Sequence, residues 1–158
     1  MSKTTTAARS EFGEQLFQGL AALPSSSRMT GEQLEVIYAL AYAHVTQGQY
    51  AQALPIFFIL THYGPTRKHY LLGLALCLQR CQRYAEAIHI YSMADVLFPG
   101  GPELALRVAE CQLMQGDRAD AREELGRVQR FIAESDGKYD EWTPRAEVLM
   151  DLAQRENA

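Results

Sequence analysis

Three hexapeptides decide the architecture of this chain: Gly48-Gln49-Tyr50-Ala51-Gln52-Ala53, Gln82-Arg83-Tyr84-Ala85-Glu86-Ala87 and Gly116-Asp117-Arg118-Ala119-Asp120-Ala121. Their closing alanines stand at 53, 87 and 121, so both intervals are 34 residues. The same offset carries Ala41 onto Ala75 and Ala109, Phe57 onto Tyr91 and Leu125, and Pro65 onto Pro99. Self-similarity at one fixed period marks a supersecondary unit repeated in tandem, each copy too small to bury its apolar face alone.

A 34-residue period with small residues, an aromatic and a closing proline at these phases resembles the tetratricopeptide repeat, a helix-turn-helix unit. The phase gives three repeats, at 34–67, 68–101 and 102–135. Ala41, Ala75 and Ala109 let the two helices of a unit approach closely, while Phe57, Tyr91 and Leu125 fill the space between units. The predicted fold is all-α: three tandem repeats forming a right-handed superhelical array, with an extra N-terminal helix and a C-terminal capping helix.

Local signals agree with this phase. Thr30-Gly31-Glu32-Gln33 has the spacing of a capping box, and Gly64-Pro65 and Pro99-Gly100-Gly101-Pro102 punctuate repeat ends. Pro55 falls inside the second helix of the first repeat and removes a hydrogen bond, which predicts a kink or a late start. Ahead of the array, residues 1–9 read as a disordered tail. Residues 10–33 read as a helix with Phe12, Leu16, Phe17, Leu20 and Leu23 on one face, then the loop Pro24-Ser25-Ser26-Ser27. That face carries more apolar surface than a chain end normally exposes, which predicts self-association into a homodimer. Residues 136–158 read as the capping helix, with Thr143 as its cap, Pro144 at its first position and Val148, Leu149 and Leu152 as its apolar stripe.

Composition bounds the function. Hydrophobic residues make up 47% and charged residues 22% of the chain, which is average for a folded domain. A net charge of -4 and the lack of a basic patch disfavour nucleic acid. The apolar runs 53–60 and 71–78 are far shorter than the roughly 18 to 20 residues of a membrane span, so no membrane insertion is expected. The polar, small-residue N-terminus does not read as a secretory signal, and three unpaired cysteines suit a reducing compartment, so a cytoplasmic bacterial protein is expected.

Four strings carry a closer resemblance: Tyr38-Ala39-Leu40-Ala41-Tyr42, Leu72-Gly73-Leu74-Ala75, Ala87-Ile88-His89-Ile90-Tyr91-Ser92 and Ala109-Glu110-Cys111. Together they resemble the class II chaperones of bacterial type III secretion, the SycD/LcrH family. The resemblance implies a cytoplasmic chaperone whose concave groove takes an extended segment of hydrophobic translocator proteins, keeping them soluble and apart before secretion. It also implies homodimer contacts through the N-terminal region. Val45 and Gln82 stand where members of that family often show an aromatic and a glycine.

In such a repeat the first helix lines the inner surface. Helical spacing places Tyr38, Tyr42 and Val45 of the first repeat, and His69, Leu72, Leu76 and Gln79 of the second, on that side. The third repeat contributes Leu106, Glu110 and Leu113. An apolar, aromatic-rimmed groove suits the side chains of an extended peptide. Tyrosine and leucine at helical spacing are also ordinary core, but that phase is assigned to Ile37, Leu40 and Ala41. A clamp for an acidic chaperone C-terminus needs cationic side chains at fixed groove positions, and of Tyr38, Tyr42, Gly73, Glu103 and Arg107 only the last qualifies.

Chemistry finds no foothold. Cys77 and Cys111 share one repeat position and read as packing residues; Cys77 and Cys81 lie on one helix with no histidine pair at metal-ligand spacing. The histidines at 44, 62, 69 and 89 have no evident nucleophile and orienting acid beside them. The acidic stretches 120–124 and 134–141 read as solvated surface. The expectation is a chaperone without cofactor or metal and not an enzyme, against the alternative of a general peptide-binding adaptor or assembly factor.

Overall fold

Each hexapeptide is the hinge of a helix pair. The computed structural model describes residues 7–155. Their helices are α1 (Glu11–Ala21), α2 (Gly31–Thr46), α3 (Tyr50–Tyr63), α4 (Lys68–Arg80), α5 (Tyr84–Leu97), α6 (Glu103–Gln115), α7 (Arg118–Ala133) and α8 (Thr143–Gln154), with short 3-10 turns at Pro24–Ser27 and Asp140–Trp142. No strand occurs among the described residues. The tail predicted over 1–9 falls mostly outside them. The second helices of the three pairs start at Tyr50, Tyr84 and Arg118, one period apart.

The hinges share one backbone device. Gly48, Gln82 and Gly116 all take a left-handed conformation, with φ of 71°, 60° and 88°, and that turn reverses the chain between helices. Glycine adopts it freely, whereas a side chain there costs about 1–2 kcal/mol. Gln82→Gly is therefore expected to stabilise the protein by about 0.5–1 kcal/mol, after allowance for the looser unfolded chain. The measurement is the urea midpoint; a drop would mean that the glutamine side chain more than offsets its own strain.

The chain divides into two compact units, one ending at Pro99 and the other beginning at Gly100. In the first unit, α2 opens with the predicted capping box: Thr30 Oγ1 accepts from Gln33 N at 3.1 Å, and Gln33 Oε1 accepts from Thr30 N at 2.9 Å. Ala41, Ala53, Ala75 and Ala87 are fully buried, as the period requires. Phe57 and Tyr91 are buried too. The Phe57 ring lies against the α4 backbone at Gly73, where a Cβ would sit 2.1 Å from it. Of the kink or late start expected at Pro55, the late start does not occur: α3 begins at Tyr50 and continues past Pro55. Pro55 and Ala51, whose carbonyl loses its partner, are both exposed, so the loss falls on the solvent side.

Two expectations about this unit are corrected. Leu40 is not core: it is 56% exposed, whereas its repeat equivalent Leu74 is 2% exposed. The difference is positional, because α4 packs against the preceding α3 and α2 has no preceding pair. The face of α1 is also divided. Gly13 lets α1 lie on α5, since a Cβ there would meet the Val96 carbonyl oxygen at 2.7 Å. Phe17 packs edge-on to Phe98 with centroids 6.2 Å apart. Arg9 stacks 3.8 Å over the Phe17 ring and donates from Nε to the Leu97 carbonyl oxygen at the end of α5. Leu16, Phe17 and Leu20 are consequently half-buried within the chain's own fold, and only Phe12 and Leu23 stay exposed.

In the second unit, Leu106, Ala109, Ala121, Leu125, Val128, Ile132, Ala146, Leu149 and Ala153 form one core. The stripe of α8 is thus Ala146, Leu149 and Ala153; of the predicted Val148, Leu149 and Leu152 only Leu149 is core, with Val148 61% and Leu152 46% exposed. Two alanines allow close approach to α7, and this packing sets the helix rotation. Arg122 Nη1 donates to the Ala153 carbonyl oxygen at 3.0 Å, tying the end of α8 to α7. Thr143 is the first helical residue instead of the cap; Trp142 holds the cap position, with no side-chain hydrogen bond.

The three cysteines are free. Cys77 and Cys111 are fully buried, and desolvation pushes both thiols up to about 11.

Candidate functional site

The first helices of the first two repeats, α2 and α4, build an aromatic face in the first unit. Tyr38 is its hub. Its ring lies 6.0 Å from Tyr42, 5.7 Å from Tyr70 and 4.8 Å from His69, the last edge-on; from below it meets Phe57 at 6.2 Å. Tyr42, one turn along α2, is 55% exposed. Tyr38, Val45, His69, Leu72, Leu76 and Gln79 are half-buried, which is the state of side chains that line a surface depression and still have area to offer. On α4 the spacing 69, 72, 76, 79 sets His69, Leu72, Leu76 and Gln79 on one side. The amide oxygen of Gln79 accepts from the Tyr91 hydroxyl at 2.9 Å.

Polar contacts fix the face from one edge. Glu35 Oε1 accepts from His69 Nε2 at 2.7 Å and from the Tyr70 hydroxyl at 2.8 Å. These bonds, from His69 first, hold the Glu35 carboxyl below its ordinary range. Burial, then the bond to Glu35, pushes Tyr70 up to about 12. The sequence reading missed Glu35 and Tyr70. A signal was available: Glu35 and His69 stand one period apart, and equivalent positions on successive first helices are neighbours.

The third repeat does not supply what was predicted. Leu106 is 1% exposed and belongs to the core of the second unit, so it is a packing residue. Glu110 is 9% exposed; it is paired on its own helix with Arg107 at 3.4 Å and with Arg145 from α8. Its carboxylate ties α6 to α8, which is how a buried charge is kept. Counting along a period gives position, but only the packing of α8 decides what covers it.

Among the described residues no group of three or more histidine, cysteine, aspartate or glutamate side chains is placed to hold a metal ion. No described helix is long and apolar enough to cross a membrane. What the face offers is aromatic and aliphatic area with a few fixed polar groups, on a preformed helical scaffold.

Paired helices on a 34-residue period with such a face define a tetratricopeptide-repeat binding scaffold. Tetratricopeptide-repeat family models match residues 38–102 and 82–140. The low calcium response locus protein H of Yersinia pestis is 30% identical over 124 residues, covering 77% of this chain and 72% of that protein. The type III secretion chaperone SycD of Yersinia enterocolitica, solved with a peptide of the translocator YopD, superposes with a TM-score of 0.70 at 28% identity, covering 81% of this chain and 97% of that one. PcrH in complex with the chaperone-binding region of PopD gives a TM-score of 0.69 at 25% identity, covering 80% and 94%. The chain belongs to the SycD/LcrH family of class II type III secretion chaperones, a family of binding proteins and not of enzymes.

Proposed function

We propose that this protein binds an extended, apolar segment of a hydrophobic type III secretion translocator against the α2 and α4 face, in the bacterial cytoplasm, and keeps the translocator soluble until secretion. The observation that carries this reading is the half-exposed aromatic hub of Tyr38 and Tyr42, continued on α4 by the side bearing His69, Leu72, Leu76 and Gln79. Aromatic side chains give a large contact area at small conformational cost, and alternate residues of an extended peptide meet such a row at matching intervals. SycD and PcrH were solved with translocator segments bound, which supports the same cargo class here.

The experiment is coexpression with a translocator from the same secretion system. The translocator is expected to be insoluble alone and to copurify as a stable soluble complex with this chain. A translocator that stays soluble without the chain, or that never copurifies, would sink the proposal. Binding to unrelated apolar peptides with equal affinity would instead support a general adaptor.

In the free state the chain pairs with itself, and exposed Phe12 and Leu23 are the part of α1 left for that contact. Phe12→Glu with Leu23→Glu is expected to halve the mass seen by light scattering. An unchanged mass would place the contact elsewhere.

A further inference from the structure

Glu35 and His69 do more than join two helices. A carboxylate oxygen only accepts, so the 2.7 Å contact requires the hydrogen to sit on His69 Nε2. In the neutral imidazole the other nitrogen, Nδ1, is then a bare acceptor. Across a five-membered ring the two nitrogens point apart, so Nδ1 faces away from Glu35. The ring is held in that pose by Tyr38 at 4.8 Å and Tyr70 at 4.3 Å, and the side chain remains 41% exposed.

An extended peptide presents backbone N–H groups that lose water on docking and need acceptors. On the α2 side the Tyr38 and Tyr42 hydroxyls rotate and can donate as well as accept; a fixed acceptor is scarcer. Val45, Leu72 and Leu76 have none, and the Gln79 oxygen already accepts from Tyr91.

We propose that Glu35 is a positioning residue that fixes His69 with Nδ1 presented as the acceptor for one backbone N–H of the bound segment; this rests on the binding face proposed above. Apolar side chains would then set where the peptide lies across the face, and this bond would set its register along it. A merely structural tether between α2 and α4 would need the Nε2 bond alone and would be indifferent to the peptide backbone.

The probe is a twelve-residue peptide selected from a displayed library on the wild-type protein and counter-screened against Tyr42→Ala. It is resynthesised with each backbone nitrogen methylated in turn. His69→Phe, which keeps the ring, and Glu35→Leu are each expected to weaken binding roughly fivefold, as for one hydrogen bond. Glu35→Gln, which keeps an acceptor oxygen, should stay within about twofold of wild type. One methylated peptide should lose affinity for the wild type and lose nothing further with His69→Phe. Nitrogen-15 spectra of the free protein should place the hydrogen on Nε2 in the wild type and Glu35→Gln. A hydrogen on Nδ1, or methylation losses that are the same for both proteins at every position, overturns the inference alone. If no selected peptide depends on Tyr42, the binding face and this inference fall together.

Discussion

Gly73→Ala is expected to destabilise the protein by about 2–3 kcal/mol, although the same exchange inside a helix ordinarily gains up to about 1 kcal/mol. Gly73 is mid-helix in α4, and an added methyl would lie 2.1, 2.3 and 2.7 Å from three ring carbons of Phe57. That ring is 2% exposed and also packs against Tyr38, so it has nowhere to turn. The strain must spread into the spacing of α3 and α4. Gly126 provides the control: it lies inside α7 with nothing within 4 Å of its would-be Cβ, so Gly126→Ala should stabilise by a few tenths to about 1 kcal/mol. Urea unfolding of the two variants should therefore show opposite signs. Phe57→Leu combined with Gly73→Ala should recover part of the loss. Equal signs for the two alanines would mean that the Phe57 contact is soft.

The second large effect is on binding. Tyr42→Ala with Leu76→Ala is expected to weaken the translocator segment by on the order of a hundredfold, about 2.7 kcal/mol, since each buried anchor of an interface is worth roughly 1–3 kcal/mol on truncation. The pair is chosen because neither side chain is buried in the free protein. Tyr38, by contrast, touches Phe57 and Tyr70, and its truncation would mix binding with stability. Calorimetry of binding alongside thermal unfolding separates the two. A double variant that keeps its melting point and its affinity would move the binding face elsewhere.

How much was legible in the sequence differs by layer. The 34-residue period located every hinge and all three helix pairs, because helix starts and small-residue contacts depend on neighbours close in sequence. The same local spacing sets His69, Leu72, Leu76 and Gln79 on one side of α4, the side proposed above to bind the segment. It failed where a contact comes from outside the repeat. Leu40 has the chemistry of a core residue but no preceding pair to cover it. Leu106 and Glu110 occupy inner-face positions by count, yet one joins the core of the second unit and the other meets Arg145 from α8. The face of α1 reads as one apolar surface until the Arg9 and Gly13 contacts with α5 divide it. Gly73 reads in the sequence as part of a string and as a groove position without a cation, since nothing in a sequence announces which ring will press on a missing side chain.

The cysteines have a practical consequence. At pH 8 a thiol pushed up to about 11 is reactive thiolate in only roughly one molecule in a thousand, and Cys77 and Cys111 are in addition fully buried. Cys81, half-exposed at the end of α4, is left as a single native attachment point for a fluorophore. It lies just beyond Gln79, on the helix that carries half of the proposed binding face, so a dye on the otherwise untouched chain is placed to report cargo arrival by a change in emission.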